Sequence, residues 1–575
     1  MSLTMNSRIP TISCFFRILP RFYRADGSLE PTKRSPFFDC RIVGFLTIVL
    51  YGLGAWLSQS RAFDQDEFFH LHAAWNIFIG WMPYRDFFEH HAPLYYFVLA
   101  PIFTLFRAET EANSAVEAIF FVRSIMWFIS GIVLLETFWL GKLWRNTAVG
   151  VVAVFFVIST EIYWSTALEI RPDTLAVALF LASLIAMIQA MKPNVNAQSR
   201  SRALGWSGFL LGTAFVTLQK AVYTLPGIAL ATCWYFFSRQ ITEDRKSRIS
   251  SIGRQSIGFC VPILFTAMYF YANGALSALI NCNLLFNLKL SGFSAWPNLR
   301  GLAYQNPYLI LFGVAGWIYQ LFLVCRGQGL RRETYVLLPT AVSVLIGLFC
   351  IPVPYNQYYL WLLPLLALFA AVMLVDLTAT LVVMRDQMLR RQWSLFACGI
   401  GLIVFSTLIL IGHGANSHWP PQLVTGYWFA VFLILIFSTF LRLPPVAGSM
   451  VFLALAVPPS VRITSELRST TPAPQLEEIR YIVETTAPTD TVLDGYSGSG
   501  IFRPSAYYYG MLPWNVRLAL SDDVKEKLFT ELREGGITPT LILLDRSLER
   551  FSPEVRDFVE QEYEPTGIGN IWKRT

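Results

Sequence analysis

The pattern of this chain is set by uncharged apolar runs of about 17 to 25 residues, the length a helix needs to cross the hydrocarbon core of a bilayer. They predict helical spans near 42–58, 118–140, 147–164, 173–191, 204–218, 221–237, 256–272, 306–325, 335–351, 359–383, 394–412, 424–441 and 446–461. That makes about 13 crossings. The run 94–106 is short for a crossing and contains Pro101, so it reads as an interfacial or re-entrant piece. Beyond Arg462 the pattern changes: 474–486 and 522–534 have helical spacing, while 491–494 and 541–544 are short apolar runs bounded by Asp, Gly and Pro, as strands are. The expected division is an N-terminal tail (1–41), a membrane part (42–462) with an outer loop at 59–93, and a small α/β domain (463–575).

Composition agrees. Of 575 residues, 54% are hydrophobic and 14% charged, against roughly 25% charged in soluble domains, and the mean hydropathy is +0.48. A soluble enzyme, a disulfide scaffold and a disordered hub are excluded; a polytopic α-helical membrane protein remains. The net charge of +7 does not indicate nucleic acid, because Lys and Arg sit in short clusters between apolar runs, where they orient membrane spans. The clusters Lys142/Arg145, Lys192–Arg202, Arg239–Arg254, Arg326–Arg332, Arg385–Arg391 and Arg442, with the basic tail before residue 42, all belong on the cytoplasmic side. With an odd number of crossings, the loop 59–93 and the C-terminal domain fall outside; a bacterial plasma membrane fits this arrangement. The first apolar run has no small-residue cleavage site and reads as a retained anchor. The eight cysteines are scattered singly, without CxxC spacing, and read as packing residues.

Unusual residues collect in the outer loop. Asp64, Asp66, Glu67, His70 and His72 come first; after Gly80 and Pro83 come Asp86, Glu89, His90 and His91, so the loop holds four of the six histidines. The spacing of Phe68, Leu71, Trp75 and Phe78 predicts a helix lying amphipathically on the membrane, with Asp66 and His70 on one face. A carboxylate there can take a proton from a hydroxyl; a solvated acidic loop is the plain alternative. Arg171, Lys220, His90 and His91 are the cations near the outer face. Arg171-Pro172-Asp173 also reads as an ordinary helix start, with Pro at the first position, whereas Lys220 between two apolar halves reads as functional. His70/His72 and His90/His91 with Glu89 are candidate ligands for a divalent ion, though no HExxH spacing is present. Tyr355, Tyr358 and Tyr359 read as an interfacial aromatic belt, or as a platform for substrate. The run from Asp494 to Gly500 fails GxSxG at Ser499 and reads as a Gly-rich turn after a strand.

These residues carry a resemblance. One span, then Asp66-Glu67, then GWMPYRD from Gly80 to Asp86 and EHHAPLYY from Glu89 to Tyr96, resembles the first outer loop of integral-membrane GT-C glycosyltransferases, in the protein O-mannosyltransferase-like group that includes the lipid A aminoarabinose transferases. It continues through Glu169–Asp173, Leu218-Gln219-Lys220 and Tyr355–Tyr359, covering the membrane part. The resemblance implies a GT-C fold, a polyprenyl-phosphate monosaccharide donor, and inverting transfer to a lipid, glycan or protein acceptor outside the membrane. It places the catalytic acid at Asp66, with Glu67 beside it and Glu89 as rival. A departing phosphate also needs cations, for which Lys220, Arg171, His90 and His91 are the candidates, with Asp86, Asp173, Tyr358 and Tyr359 as candidate substrate contacts. Where family members often have Lys after the later acid, this chain has His90. A transporter or lipid-carrier flippase is the alternative, resting on Glu136, Glu161 and Asp376 within or near spans; a polysaccharide polymerase or ligase is another.

Overall fold

A computed structural model describes residues 38–193, 195–238, 244–290, 295–325, 331–351, 355–387, 449–551 and 553–575. The tail before residue 38 and the spans expected near 394–412 and 424–441 lie outside the described residues. Five described helices are long and apolar enough to cross a membrane: α1 (Cys40–Ser60), α3 (Ala112–Trp144), α4 (Pro172–Ala190), α6 (Arg245–Ala272) and Pro307–Cys325. The outer loop contributes α2 (Gln65–Phe78), and α5 (Ala197–Thr217) lies between α4 and α6. At about 1.5 Å per residue, the 33 residues of α3 reach well past a hydrocarbon core of ~30 Å. Its first turns are therefore free to join the core of the outer layer, and Ala115, Ile119 and Val122 do so.

The run 147–164 departs from expectation. It forms Thr147–Ile158 and then a separate short helix, Glu161–Thr166, because the Thr160 side chain accepts the Tyr163 N–H and starts a new helix. The 94–106 piece breaks where Pro101 falls, into Leu94–Leu99 and a 3₁₀ segment, Ala100–Leu105. Asp376, one of the acids favouring a transporter, is buried and paired with Arg145 at 3.5 Å.

Helices α5 and α6 touch backbone to backbone. Gly208 and Gly212 on α5 face the carbonyls of Gln255 and Phe259, and Gly258 on α6 faces that of Gly205, with no room for a Cβ. Small residues permit this approach where lipid gives no hydrophobic drive for association. Gly208→Leu should destabilise the protein by about 1–3 kcal/mol through overpacking, measured by thermal unfolding in detergent. Gly253→Leu, at an open position on α6, should leave the transition unmoved.

After the last described apolar helix, Met450–Ser469, the chain forms α7 (Ala473–Thr485) and a four-stranded sheet of β1 (Val492–Asp494), β2 (Leu541–Leu543), β3 (Tyr563–Pro565) and β4 (Ile571–Arg574), in the order β1-β2-β4-β3. β1 and β2 are parallel and the other pairs antiparallel. This unit docks on the outer loop. Gln475 exchanges hydrogen bonds with the backbone of Phe63, Tyr508 donates to the Tyr84 carbonyl at 2.6 Å, and Leu476, Ile479, Ile501 and Phe502 share a core with Phe68 and Leu71.

Candidate active site

The centre of the site is the N-terminus of α2. Asp64 is its N-cap and accepts the Asp66 N–H at 2.9 Å, while the Glu67 side chain reaches back to the Asp64 N–H at 3.0 Å, forming a capping box. The helix is not an amphipathic surface helix: from Glu67 to Asn76 it is buried throughout. Glu67, His70 and His72 find protein partners instead of water, and the C-terminal unit covers the face that would have met solvent.

Glu67 is completely buried. Arg123 donates to both its oxygens, at 2.5 and 2.9 Å, and the Ile170 N–H adds a fourth donor at 3.1 Å. Burial alone raises a carboxyl, but Arg123 outweighs it and holds Glu67 below its ordinary value. With every lone pair engaged and no exposed surface, Glu67 fixes the helix start and is not available as a base, against its expected place beside Asp66. Arg123 has no counterpart in the expected site, yet a lone cation within the apolar run 118–140 was its signal.

Asp66 differs from Glu67 in being partly open, with 27% of its side chain exposed. Arg171 donates to its Oδ2 and the Tyr496 hydroxyl to its Oδ1. The same guanidinium reaches Asp64 at 2.8 Å and Glu169 at 2.6 Å, and Glu169 pairs with Arg61 at 3.2 Å. All three of its nitrogens therefore meet carboxylates. Arg171 orients Asp66 and is not left to meet a phosphate; it also caps α4, with Pro172 at the first helical position, so the helix-start reading holds as well.

The histidines separate. His72 is bound at both ring nitrogens, to the Ile501 carbonyl at 3.0 Å and Ser505 at 2.9 Å, and burial lowers it to about 4. It is a tie to the C-terminal unit, not a metal ligand. His70 pairs with the Tyr96 hydroxyl at 3.0 Å and is held well below its ordinary value by burial. Glu89, fully buried, accepts from the backbone N–H groups of His90 and His91 and from His91 Nδ1, all onto Oε1 at 2.8–2.9 Å. Its Oε2 and His90 Nδ1 have no hydrogen-bond partner. Glu89, His90 and His91 thus form a group whose donor atoms lie within 4.8 Å of one another, and a neutral imidazole beside a carboxylate suits a divalent cation. Burial holds both histidines down, His91 to about 3. Burial thus disfavours the charged form of both, which weighs against their expected role as cations for a phosphate.

That leaves Lys220. It sits in the 3₁₀ turn Gln219–Thr224 after α5, with its ammonium 3.3 Å from the Tyr358 ring centroid. Burial lowers it to about 8, opposed by the negative charges of Asp173 and Asp66. Gln219 locks this turn to the loop, donating to the His90 carbonyl at 2.9 Å and accepting the Ala92 N–H at 3.1 Å. Asn283, from a π-helical turn, and Asn287, from the 3₁₀ turn after it, donate to the same carbonyl at 3.2 and 2.7 Å. Lys220 and Tyr358 line an apolar pocket together with Tyr223, Val344, Leu348, Ile351 and Trp361. Tyr358 and Tyr359 are buried, the latter bonded to the Ala295 carbonyl at 2.7 Å, so neither belongs to a lipid-facing belt. Asp173 is buried at the start of α4 with Oδ1 unpartnered. Asp86 lies apart: it pairs with Arg85 at 2.7 Å and caps Met82 at 2.7 Å, as a turn residue. Tyr496 was foreseeable only as part of a Gly-rich turn.

No family model and no curated protein matches this sequence. Solved structures do. The apo structure of ArnT from Cupriavidus metallidurans is 12% identical with a TM-score of 0.60, the match covering 93% of this chain and 96% of that one. The same protein bound to undecaprenyl phosphate is 12% identical with a TM-score of 0.57, covering 89% and 93%. At this identity the likeness is one of fold: this chain has the fold of ArnT, in keeping with the expected polytopic α-helical membrane protein.

Proposed function

We propose that this protein is a membrane glycosyltransferase that moves a monosaccharide from a polyprenyl-phosphate donor to an acceptor hydroxyl on the outer face, with inversion. The observation that carries this reading is a partly open carboxylate, Asp66, near enough to act on the charge of a buried ammonium, Lys220, which lines an apolar pocket. The similar fold of ArnT, which binds undecaprenyl phosphate, supports a polyprenyl chain in that pocket. In the proposed step Asp66 takes the acceptor proton and the acceptor oxygen attacks the sugar C1. The C1–O bond to phosphate breaks, and its electron pair leaves on the phosphate, whose charge Lys220 balances. The outer loop and the C-terminal unit touch each other, which supports placing both outside the membrane, with the N-terminus cytoplasmic.

Lys220→Met should weaken binding of undecaprenyl phosphate by about tenfold or more, the scale of a charge-assisted hydrogen bond, with Lys220→Arg partly retained. The dependence on pH has a definite sign. Lys220 is charged below about 8 and neutral above it, so wild-type affinity should fall as pH rises through that value. In Lys220→Arg this inflection should vanish, because Arg stays protonated. Titration calorimetry in detergent measures both; affinity unchanged in the Met variant removes Lys220 from the phosphate site.

A further inference from the structure

We propose that Tyr496 occupies the position of the acceptor hydroxyl on Asp66, so that the 494–500 turn closes the acceptor side of the site until a substrate displaces it. This rests on the reading of Asp66 as the base. Arg171 holds Oδ2 of Asp66, leaving Oδ1 as the oxygen that can receive a proton, and the Tyr496 hydroxyl donates to Oδ1. A reacting hydroxyl needs the same hydrogen bond, at about 2.6–3.2 Å, before it can be deprotonated. Phenol and acceptor are both neutral O–H donors and compete for this place.

The turn is built to bring Tyr496 there as a unit. The Asp494 carboxylate accepts the backbone N–H groups of Ser497, Gly498 and Gly500 at 2.8, 3.0 and 3.3 Å, and Asp545 accepts that of Tyr496 at 2.9 Å. Gly498, at φ +90°, lies against Phe68, where a Cβ would come within 2.5 Å of the ring-bearing carbon. Only glycine combines that backbone angle with so close an approach. Phe68 follows Asp66 by two residues on α2, so the contact that seats the turn also sets the phenol over the carboxylate. The hydroxyl dominates the choice of acceptor: a site shaped around an O–H donor selects an alcohol.

The test uses full-length protein in detergent and does not need the acceptor. Carbodiimide with glycine ethyl ester modifies accessible carboxyls, and peptide mass spectrometry reads each site. Tyr496→Phe keeps the ring and its packing but removes the donor, so Asp66 should label roughly tenfold faster than in wild type, the scale of one lost hydrogen bond to a charged group. Asp522, exposed in helix 522–533, should label equally in both. Equal or slower labelling of Asp66 overturns the proposal. With undecaprenyl-phosphate-linked monosaccharides as probe and water as acceptor, hydrolysis should not fall in Tyr496→Phe; a fall overturns closure, because it makes the phenol a helper of the base. Failure of the underlying reading is separate: an active Asp66→Asn enzyme removes base and acceptor position together, whereas an inactive one beside unchanged labelling removes Tyr496 alone.

Discussion

Asp66→Asn should lower sugar transfer by about 10²- to 10⁴-fold, the usual loss when a positioned base is removed. Asparagine keeps the shape, its carbonyl oxygen can still accept from Arg171, and its amide can donate to the Tyr496 oxygen, so donor binding and thermal stability should stay near wild type. The comparison that decides the role is Glu89→Gln. Glu89 Oε1 accepts three hydrogen bonds and organises His90 and His91, and full burial keeps its unpartnered Oε2 from an acceptor arriving from outside. Steady-state turnover of both purified variants separates them. Retention of more than about a tenth of wild-type turnover in Asp66→Asn, far above what loss of a base permits, would pass the role to Glu89.

The largest effect on stability is expected at the neighbouring acid. Glu67 and Arg123 are both fully buried. Removing one partner leaves the other as an uncompensated charge, at a cost of about 3–5 kcal/mol. Arg123→Met should therefore lower the unfolding transition strongly and reduce folded yield, and Glu67→Gln should do so to a lesser degree, since its amide still accepts and fills the space. The double variant Glu67→Gln/Arg123→Met should recover part of the loss, because no buried charge remains. Thermal unfolding in detergent, read by tryptophan fluorescence, measures all three. An additive double variant would mean that the two side chains are not coupled.

Asp66 and Glu67 are adjacent acids of the same kind, and their different fates show where sequence reasoning stops. Both could be placed at the start of a helix after the first span, and about 100° of helix rotation separates them. Which one faces Arg123 and which faces Arg171 and Tyr496 depends on the packing of α3 and of the C-terminal turn, brought from positions 123 and 496. Likewise Arg171, His90 and His91 were legible as ionisable groups near the outer face, but their charge and availability depend on partners and burial. Three carboxylates occupy the guanidinium, and desolvation disfavours the charged form of the imidazoles.

By itself, the sequence determined the membrane character of the chain, the loop in which the candidate acids and histidines gather, the α/β character of the C-terminal segment, and Asp66 and Lys220 as candidates. Those features follow from local physics: the length of apolar runs, the placement of basic clusters, helix-start chemistry and the cost of a charge between apolar segments. Tertiary structure decided the rest: burial of α2 on both sides, release of Glu67 and Arg171 from the chemistry, the seat of Lys220 over Tyr358, and the arrival of Tyr496 at Asp66. Each depends on contacts between segments far apart in the chain, 430 positions for Tyr496 and Asp66. No local periodicity encodes such a meeting, because it is fixed by how whole helices and the sheet pack against one another.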